Sequence, residues 1–157
     1  MMFEAAHDLE TVTCGKELFP LRDSEFNNLF DDHGQEVRGK PFAIDFDRYR
    51  QIESEGRLVW IVARSIDTGA PKGYACSFWY RDLHFNERVA ADDLWFVRKD
   101  YRGSGVGKTV KLMCHAELKN QGVVTIYDTI RAVGFRHGTL MKELDFEPYG
   151  IRWKKAA

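Results

Sequence analysis

The feature that most constrains this fold is a glycine-rich turn that separates an apolar run from a helical pattern, within residues 92–115. The apolar run, residues 94–97, is rich in aromatic side chains and has the length of a strand. The turn, residues 102–108, holds three glycines, and the pattern around and after it predicts a helix over residues 105–121. Glycine allows positive φ and a close approach of the backbone to a ligand, and the first N–H groups of a helix lack intrahelical acceptors. This order of elements therefore predicts a site for an anion such as a phosphate group.

The charges around the turn agree with an anionic ligand. Asp100 is the one acidic residue among the basic ones, which are Arg98, Lys99, Arg102, Lys108 and Lys111. The whole chain has a formal net charge of −1, so its composition does not favour nucleic acid or an anionic membrane as a partner. We therefore expect a small phosphate-bearing cofactor, and no nucleic acid or membrane partner.

One phosphate-binding loop with a similar ending is the P-loop, whose pattern is GxxxxGK[ST]. Gly107, Lys108 and Thr109 fit the end of that pattern, and residues 123–128 imitate the strand and aspartate that would hold Mg²⁺. The first glycine of the pattern should stand at position 102, which is Arg102. A P-loop domain also needs several more βα units, and only about 50 residues follow the loop. We keep a P-loop nucleotide-binding protein as a remote alternative.

A second family fits the loop better. Residues 97–107 read VRKDYRGSGVG and resemble the acetyl-CoA-binding segment of the GNAT N-acetyltransferase superfamily, whose pattern is roughly V-x-P-x-Y-R-G-x-G-[IV]-G. Arg102, Gly105 and Gly107 occupy the core positions [QR]-x-x-G-x-[GA], and Lys99 replaces the usual proline. The resemblance extends over residues 58–154 and implies an N-acetyltransferase that moves an acetyl group from acetyl-CoA, its cosubstrate, to a primary amine.

The resemblance also implies how acetyl-CoA is held. Backbone N–H groups of the loop would bind the pyrophosphate of CoA, and the backbone of the preceding strand would pair with the pantetheine arm. The residues implied for the loop are Arg102, Gly103, Ser104, Gly105, Val106, Gly107 and Lys108, and those for the strand are Phe96, Val97 and Arg98.

Hydrophobic periodicity predicts a single α/β (α+β) domain over residues 1–157. The predicted helices cover residues 23–32, 45–56, 105–121 and 134–144, and the predicted strands cover residues 57–65, 73–85, 92–97, 123–127 and 151–154. The strand–helix–strand order predicts parallel pairing of strands 92–97 and 123–127. The resemblance implies the GNAT fold, with a substituted N-terminal strand. That fold has a mixed, mostly antiparallel central sheet, helices on both faces, and a parallel strand pair that splays apart around the acyl-pantetheine arm.

Acetyl transfer needs an amine that loses a proton and a thiolate that leaves with one. The resemblance places the family's usual leaving-group tyrosine at Met141, so that role is not carried over to this chain. His137 lies one turn earlier on the same predicted helix and is a catalytic candidate. The alternative for His137 is a surface or packing histidine.

The candidate bases lie on the sheet. Asp93 precedes the apolar run, and His84 ends the facing strand, so a turn over residues 86–90 would bring His84 close to Asp92 or Asp93. Such a His–Asp pair could deprotonate an amine or hold its ammonium form. Residues 83–85 and 93–97 also resemble a GNAT-like subgroup frequent in phage genomes, with the patterns L-H-[YF] and D-x-[LFWY]-[FY]-V. The alternative is that Asp92 and Asp93 are simply solvated residues at the start of the strand and that His84 packs nearby.

The remaining composition argues against other classes. Cys14, Cys76 and Cys114 are odd in number and widely spaced, which favours reduced thiols over a disulfide framework or a metal motif. The N-terminus lacks the layout of a signal peptide, and no apolar run reaches membrane-spanning length. We therefore expect a cytoplasmic protein that needs no metal.

Two further points stay open from the sequence. The acceptor is an amine-bearing small molecule or protein, and the resemblance also allows a homodimer. The main functional alternative to an enzyme is a non-catalytic GNAT-like module that binds CoA or a protein partner without turnover.

Overall fold

The structure is a computed structural model that describes residues 2–3, 11–128 and 142–147. The described residues form a six-stranded sheet whose strands are ordered as they occur in the chain. The strands are β1 (Met2–Phe3), β2 (Val12–Lys16), β3 (Leu58–Ser65), β4 (Pro71–Arg81), β5 (Arg88–Val97) and β6 (Thr125–Tyr127). Neighbouring strands are antiparallel except for β5 and β6, which are parallel.

Three α-helices of the described residues cover the sheet. They are α1 (Asn27–Arg38), α2 (Phe46–Ser54) and α3 (Val106–Asn120), and a short 3₁₀ helix, Lys99–Tyr101, precedes α3. The aromatic side chains of α1 and α2 pack on one face of the sheet, while α3 packs on the other face. No helix within the described ranges has both the length and the apolar character needed to cross a membrane.

Strand β3 shows why its sequence is apolar almost throughout. Val59, Ile61 and Ala63 lie in the core on the α3 side, while Leu58, Trp60 and Val62 lie in the core on the α1 and α2 side. Alternate residues of a strand point to opposite faces, so a strand covered on both faces needs apolar residues at every position. The prediction of a strand buried on both faces is confirmed.

The predicted fold class is also confirmed: the sheet is mixed and mostly antiparallel, with helices on both faces. The parallel pairing of β5 with β6 runs from Val89↔Thr125 to Ala91↔Tyr127. β6 ends there, whereas residues 92–97 of β5 continue along β4. Among the described residues, no strand pairs with this edge of β5 beyond Ala91, and we call the space along this edge the wedge.

The N-terminal part differs from the prediction in two ways. β2 pairs with β3 and was not predicted, because only Val12 and Cys14 of its five residues are buried. The first helix runs from Asn27 to Arg38 instead of over residues 23–32, since Gly34 does not terminate it. A Cβ at Gly34 would lie 2.6 Å from the carbonyl oxygen of Lys40, so this glycine serves a close backbone approach.

The hairpin between β4 and β5 turns earlier than predicted. β4 ends at Arg81 and β5 already begins at Arg88, whereas the predicted strands reached residue 85 and began at residue 92. The Asp82 carboxylate accepts the N–H groups of His84 (2.8 Å) and Phe85 (2.9 Å), which fixes the turn over residues 82–87. The predicted helix 134–144 and strand 151–154 lie largely or wholly outside the described residues.

Helix α2 begins with a side-chain cap. Asp45 Oδ1 accepts the N–H of Arg48 at 3.0 Å. We expect Asp45→Ala to lower the free energy of unfolding by about 1 kcal/mol, because that N–H then loses its acceptor. Chemical denaturation measures this change, and Asp45→Asn is the control because asparagine caps equally well. An asparagine variant as unstable as the alanine variant would contradict the assignment.

Candidate active site

The backbone of β5 has one edge directed into the wedge. The N–H of Arg98 donates to the carbonyl of Lys72 on β4 at 2.9 Å. Because backbone groups alternate along an antiparallel strand, Phe96 also faces β4, and Val97 faces the opposite side. Of the three residues predicted to pair with the pantetheine arm, Phe96 and Arg98 therefore direct their backbone groups toward β4. Val97 is the one whose backbone groups face the wedge.

The loop after β5 has the backbone geometry of an anion cradle. Gly103 and Gly105 have φ of +84° and +89°, and nothing lies within 4 Å of where a Cβ would stand at either position. Gly105 caps α3 with no side chain, so the N–H groups of Val106, Gly107 and Lys108 start the helix without intrahelical acceptors. The Ser104 hydroxyl donates to the carbonyl of Tyr101 at 2.6 Å and holds the turn in shape. These residues fit a pyrophosphate held by backbone N–H groups at the positive end of a helix.

Gly107 has a different role from the other two glycines. A Cβ there would lie 3.4 Å from Val97 Cγ2 and 3.5 Å from Trp95 Cζ2. The Trp95 indole N–H also donates to the Gly107 carbonyl at 3.1 Å. These are ordinary van der Waals distances, so the first turn of α3 packs on β5 at Gly107, which places the loop at the end of the wedge.

The side chain of Arg102 is exposed, yet it is hydrogen-bonded to other parts of the protein. Its Nε donates to the Val97 carbonyl at 2.8 Å, and its two terminal nitrogens donate to Glu36 of α1 at 2.9 and 2.8 Å. The hydrogen bonds from Arg102 hold the pKa of Glu36 below its ordinary value. Arg102 thus ties the loop to α1, a contact that the sequence did not predict. At an anion site, Arg102 would support the loop and attract the anion through its positive charge at a distance.

A pocket of about 440 Å³ lies beside the loop on the α1 face. Glu36 and Asp32 of α1 form one wall, and Phe96, Arg98 and Lys99 form the other. Charges of both signs line it, so it suits a polar part of a ligand.

Asp93 lies at an irregularity of β5. Ser77 of β4 pairs with Asp92, and its neighbour Cys76 pairs with Leu94. Asp93 is therefore the extra residue of a β-bulge. Its carboxylate accepts the hydroxyl of Tyr49 from α2. Asp93 is exposed as a whole residue, but partial desolvation of its carboxylate raises its pKa above the ordinary value; the charge of Asp92 adds to this, while the Tyr49 hydrogen bond opposes it. A carboxylate with a raised pKa is a better proton acceptor, and Asp93 lies two residues beyond the last β5–β6 pair.

His84 is not near Asp93. It is exposed in the hairpin turn, beyond the Arg81↔Arg88 pair, while Asp92 lies opposite Ser77. Four residues of strand separate Arg88 from Asp92, which corresponds to about 13 Å. The predicted proximity of His84 to Asp92 or Asp93 is wrong because the turn occurs earlier than expected. His137 and Met141 lie outside the described residues, so the role of His137 stays a prediction.

A buried ionic cluster lies on the α3 side of the same point, and sequence reasoning missed it. Asp92 Oδ2 is 2.8 Å from His115 Nε2 and 3.2 Å from Lys111 Nζ. The other Asp92 oxygen accepts the Ser77 hydroxyl, and Lys111 also pairs with Asp128. Burial raises the pKa of Asp92, but the hydrogen bond from His115 and the charge of Lys111 outweigh this and hold it below the ordinary value. The available signal was a lysine at helical spacing from the buried residues His115 and Leu118.

The three cysteines are packing residues within the described part of the chain. Cys14, Cys76 and Cys114 are buried free thiols, and burial raises the pKa of each, that of Cys114 to about 12. In the part of the chain that the structure describes, no group of three or more His, Cys, Asp or Glu residues could hold a metal ion.

The P-loop alternative does not fit this structure. Its nucleotide-binding sheet is built of parallel βα units, whereas the sheet here has a single parallel pair among the described strands. Asp128, the residue that imitated a magnesium ligand, is paired with Lys111.

Comparison with known proteins agrees with this geometry. A family model described as the acetyltransferase (GNAT) family matches residues 17–135. Glucosamine-6-phosphate N-acetyltransferase from Arabidopsis thaliana has a TM-score of 0.72 at 16% identity, covering 94% of this chain and 99% of that chain. A transcriptional regulator from Bacillus halodurans C-125 has a TM-score of 0.75 at 14% identity, with 93% and 99% covered.

A third solved structure contains a ligand. AAC(6')-Iy in complex with the bisubstrate analog CoA-S-monomethyl-acetylneamine has a TM-score of 0.68 at 15% identity, covering 93% of this chain and 99% of that chain. None of the curated proteins matches the chain in sequence. At these low identities the solved structures show a shared fold.

Proposed function

The chain belongs to the acetyltransferase (GNAT) family, and from this premise we propose that it moves an acetyl group from acetyl-CoA to a primary amine. The observation that carries the proposal is the continuity of the wedge with the loop. β5 runs past the end of β6 and leads through a short 3₁₀ helix into Gly103 and Gly105, which begin α3. A long ligand with a diphosphate at one end and a linear arm would span both parts.

The residues of the chain have separate roles in this proposal. The N–H groups of residues 103–108 bind the pyrophosphate, and the wedge-facing edge of Val97 lies along the pantetheine arm. Acetyl-CoA, when bound, supplies the acetyl group as a thioester. Asp93 holds the ammonium form of the acceptor and takes up one of its protons, while Tyr49 orients the carboxylate. The amine nitrogen then forms the C–N bond as the C–S bond of the thioester breaks, and CoA leaves as a thiolate that takes up the second proton of the nitrogen.

The charge of the site indicates the class of acceptor. A carboxylate at the base of the wedge favours a cationic amine, and one fold neighbour is bound to an analog that joins CoA to acetylneamine. We propose a primary amine on a small molecule or a protein as the acceptor. Membership of the phage-type subgroup stays a prediction from residues 83–85 and 93–97.

Two assays test the proposal in sequence. Isothermal titration should show binding of acetyl-CoA that does not require Mg²⁺, and no comparable binding of ATP. Release of free CoA thiol is then followed across a panel of aminoglycosides, polyamines, amino sugars and peptides. Product with at least one amine supports the enzyme. Binding without product across the panel favours the non-catalytic module, and no binding of acetyl-CoA contradicts both.

We expect Asp93→Asn to lower kcat for the amine about 100-fold, because the amide cannot accept the proton. The affinity for acetyl-CoA should stay within about twofold, since the pyrophosphate contacts are at the other end of the wedge. Asp67→Asn, in the exposed turn between β3 and β4, is the matched control. An Asp93→Asn enzyme with unchanged kcat would remove Asp93 from the mechanism.

A further inference from the structure

Lys111 is an unusual residue for the buried face of a helix. Its side chain has a relative exposure of 2%, and it lies on the face of α3 that packs on the sheet. Burying an ammonium group without partners would be strongly unfavourable, so its contacts must compensate for the water that it has lost. Those contacts come from both strands of the parallel pair.

The ammonium group of Lys111 contacts two carboxylates and an aromatic ring. It pairs with Asp92 of β5 (3.2 Å) and with Asp128, which follows β6, and it lies 4.5 Å from the ring centroid of Trp95. His115 contacts the same oxygen of Asp92, Oδ2, at 2.8 Å. Lys111 is therefore placed to hold two carboxylates at a fixed separation.

The strand register shows that these contacts lie at the end of the parallel pairing. Ala91↔Tyr127 is the last pair between β5 and β6. Asp92 of β5 and Asp128, which directly follows β6, are the next residues after this pair, so they mark the point at which the pairing ends. Without a cation between them, two carboxylates at that point would repel each other and favour a different strand separation.

We propose that Lys111 is a positioning residue that sets the opening of the wedge and so prepares the site for acetyl-CoA. This inference rests on the proposed function, because the wedge is where the pantetheine arm is placed. A site that is already open binds more tightly, since the ligand does not have to order the strands as it binds. Lys111 itself need not touch acetyl-CoA for this effect.

The test separates positioning from stability by neutralising the whole cluster. The triple variant Lys111→Met/Asp92→Asn/Asp128→Asn removes the clamp and leaves no unpaired buried charge, so we expect it to fold with an unfolding midpoint near that of the wild type. We expect its Kd for acetyl-CoA to rise about tenfold, because the strands must then be ordered on binding. Lys119→Met, an exposed lysine on the same helix, should bind like the wild type.

A milder variant keeps the test decisive if the triple variant does not fold. Asp128→Asn leaves Lys111 paired with Asp92 and weakens one arm of the clamp, so acetyl-CoA affinity should fall about threefold with little change in the unfolding midpoint. Wild-type affinity in a folded triple variant, or in Asp128→Asn, would overturn the inference. A wild-type protein that does not bind acetyl-CoA would instead overturn the proposed function and this inference with it.

Discussion

Replacing Gly105 with aspartate is expected to weaken acetyl-CoA binding on the order of 100-fold, whereas Gly105→Asn should retain much more of the affinity. Gly105 has φ of +89° at the start of α3, with open space where a Cβ would stand. Asparagine and aspartate tolerate positive φ better than other side chains, so both variants carry similar backbone strain. They differ by one negative charge at the proposed position of the pyrophosphate. Like charges about 4 Å apart near a protein surface repel by about 1–4 kcal/mol.

Isothermal titration measures the two affinities, and thermal unfolding checks that both variants fold. The difference between aspartate and asparagine should shrink at high salt, because the repulsion is screened over about 10 Å at 0.1 M. Wild-type affinity in both variants would mean that the diphosphate does not lie at this loop. Affinities that are weakened to the same extent in both variants would contradict a charge effect and assign Gly105 a purely conformational role.

The loop could be predicted from the sequence because its residue types correspond directly to backbone geometry. Gly103 and Gly105 both have positive φ, as a turn of this kind requires. The continuous apolar run of β3 was equally informative, since a strand needs such a run only when both of its faces are buried. In each case the cause is local and lies within a few residues of the pattern.

Gly34 shows where local reasoning stops. After Asp31, Asp32 and His33 it has the sequence context of a helix end, yet α1 continues through it to Arg38. The reason for the glycine is the backbone of residues 40–42, which passes too close for any Cβ. That approach belongs to tertiary structure, so no pattern within the helix could have predicted it.

The catalytic region was predicted only in part because its partners are distant in the chain. Asp93 was identified, but Tyr49, which donates to it, lies 44 residues earlier. The predicted pairing of His84 is wrong because the hairpin turn lies a few residues earlier than expected. The Asp82 side chain fixes the turn at that earlier position. A hairpin prediction that misplaces the turn moves every residue near the tip relative to its partner strand.

Lys111→Met is expected to lower the free energy of unfolding by about 3–5 kcal/mol at pH 7, because it leaves buried carboxylates without their cation. Methionine keeps most of the side-chain volume, so lost packing contributes little. The side chains of Asp92 and Asp128 are only 8% and 14% exposed, so water replaces the ammonium group poorly. Chemical denaturation of the variant and of Lys119→Met, which should stay within about 0.5 kcal/mol of the wild type, gives the comparison.

The pH dependence of the stability lost in Lys111→Met shows whether charge or packing causes the loss. In the wild type the folded pKa of Asp92 is held below its ordinary value of 3.8, so its contribution is fully present above that value and is lost as the pH falls through the lowered pKa. In Lys111→Met we expect burial to dominate and to raise the folded pKa of Asp92, so the variant regains stability as Asp92 takes up a proton. The difference between variant and wild type should therefore shrink from pH 7 to pH 5, and a loss that does not change over this range would show that the lysine stabilises the fold by packing alone.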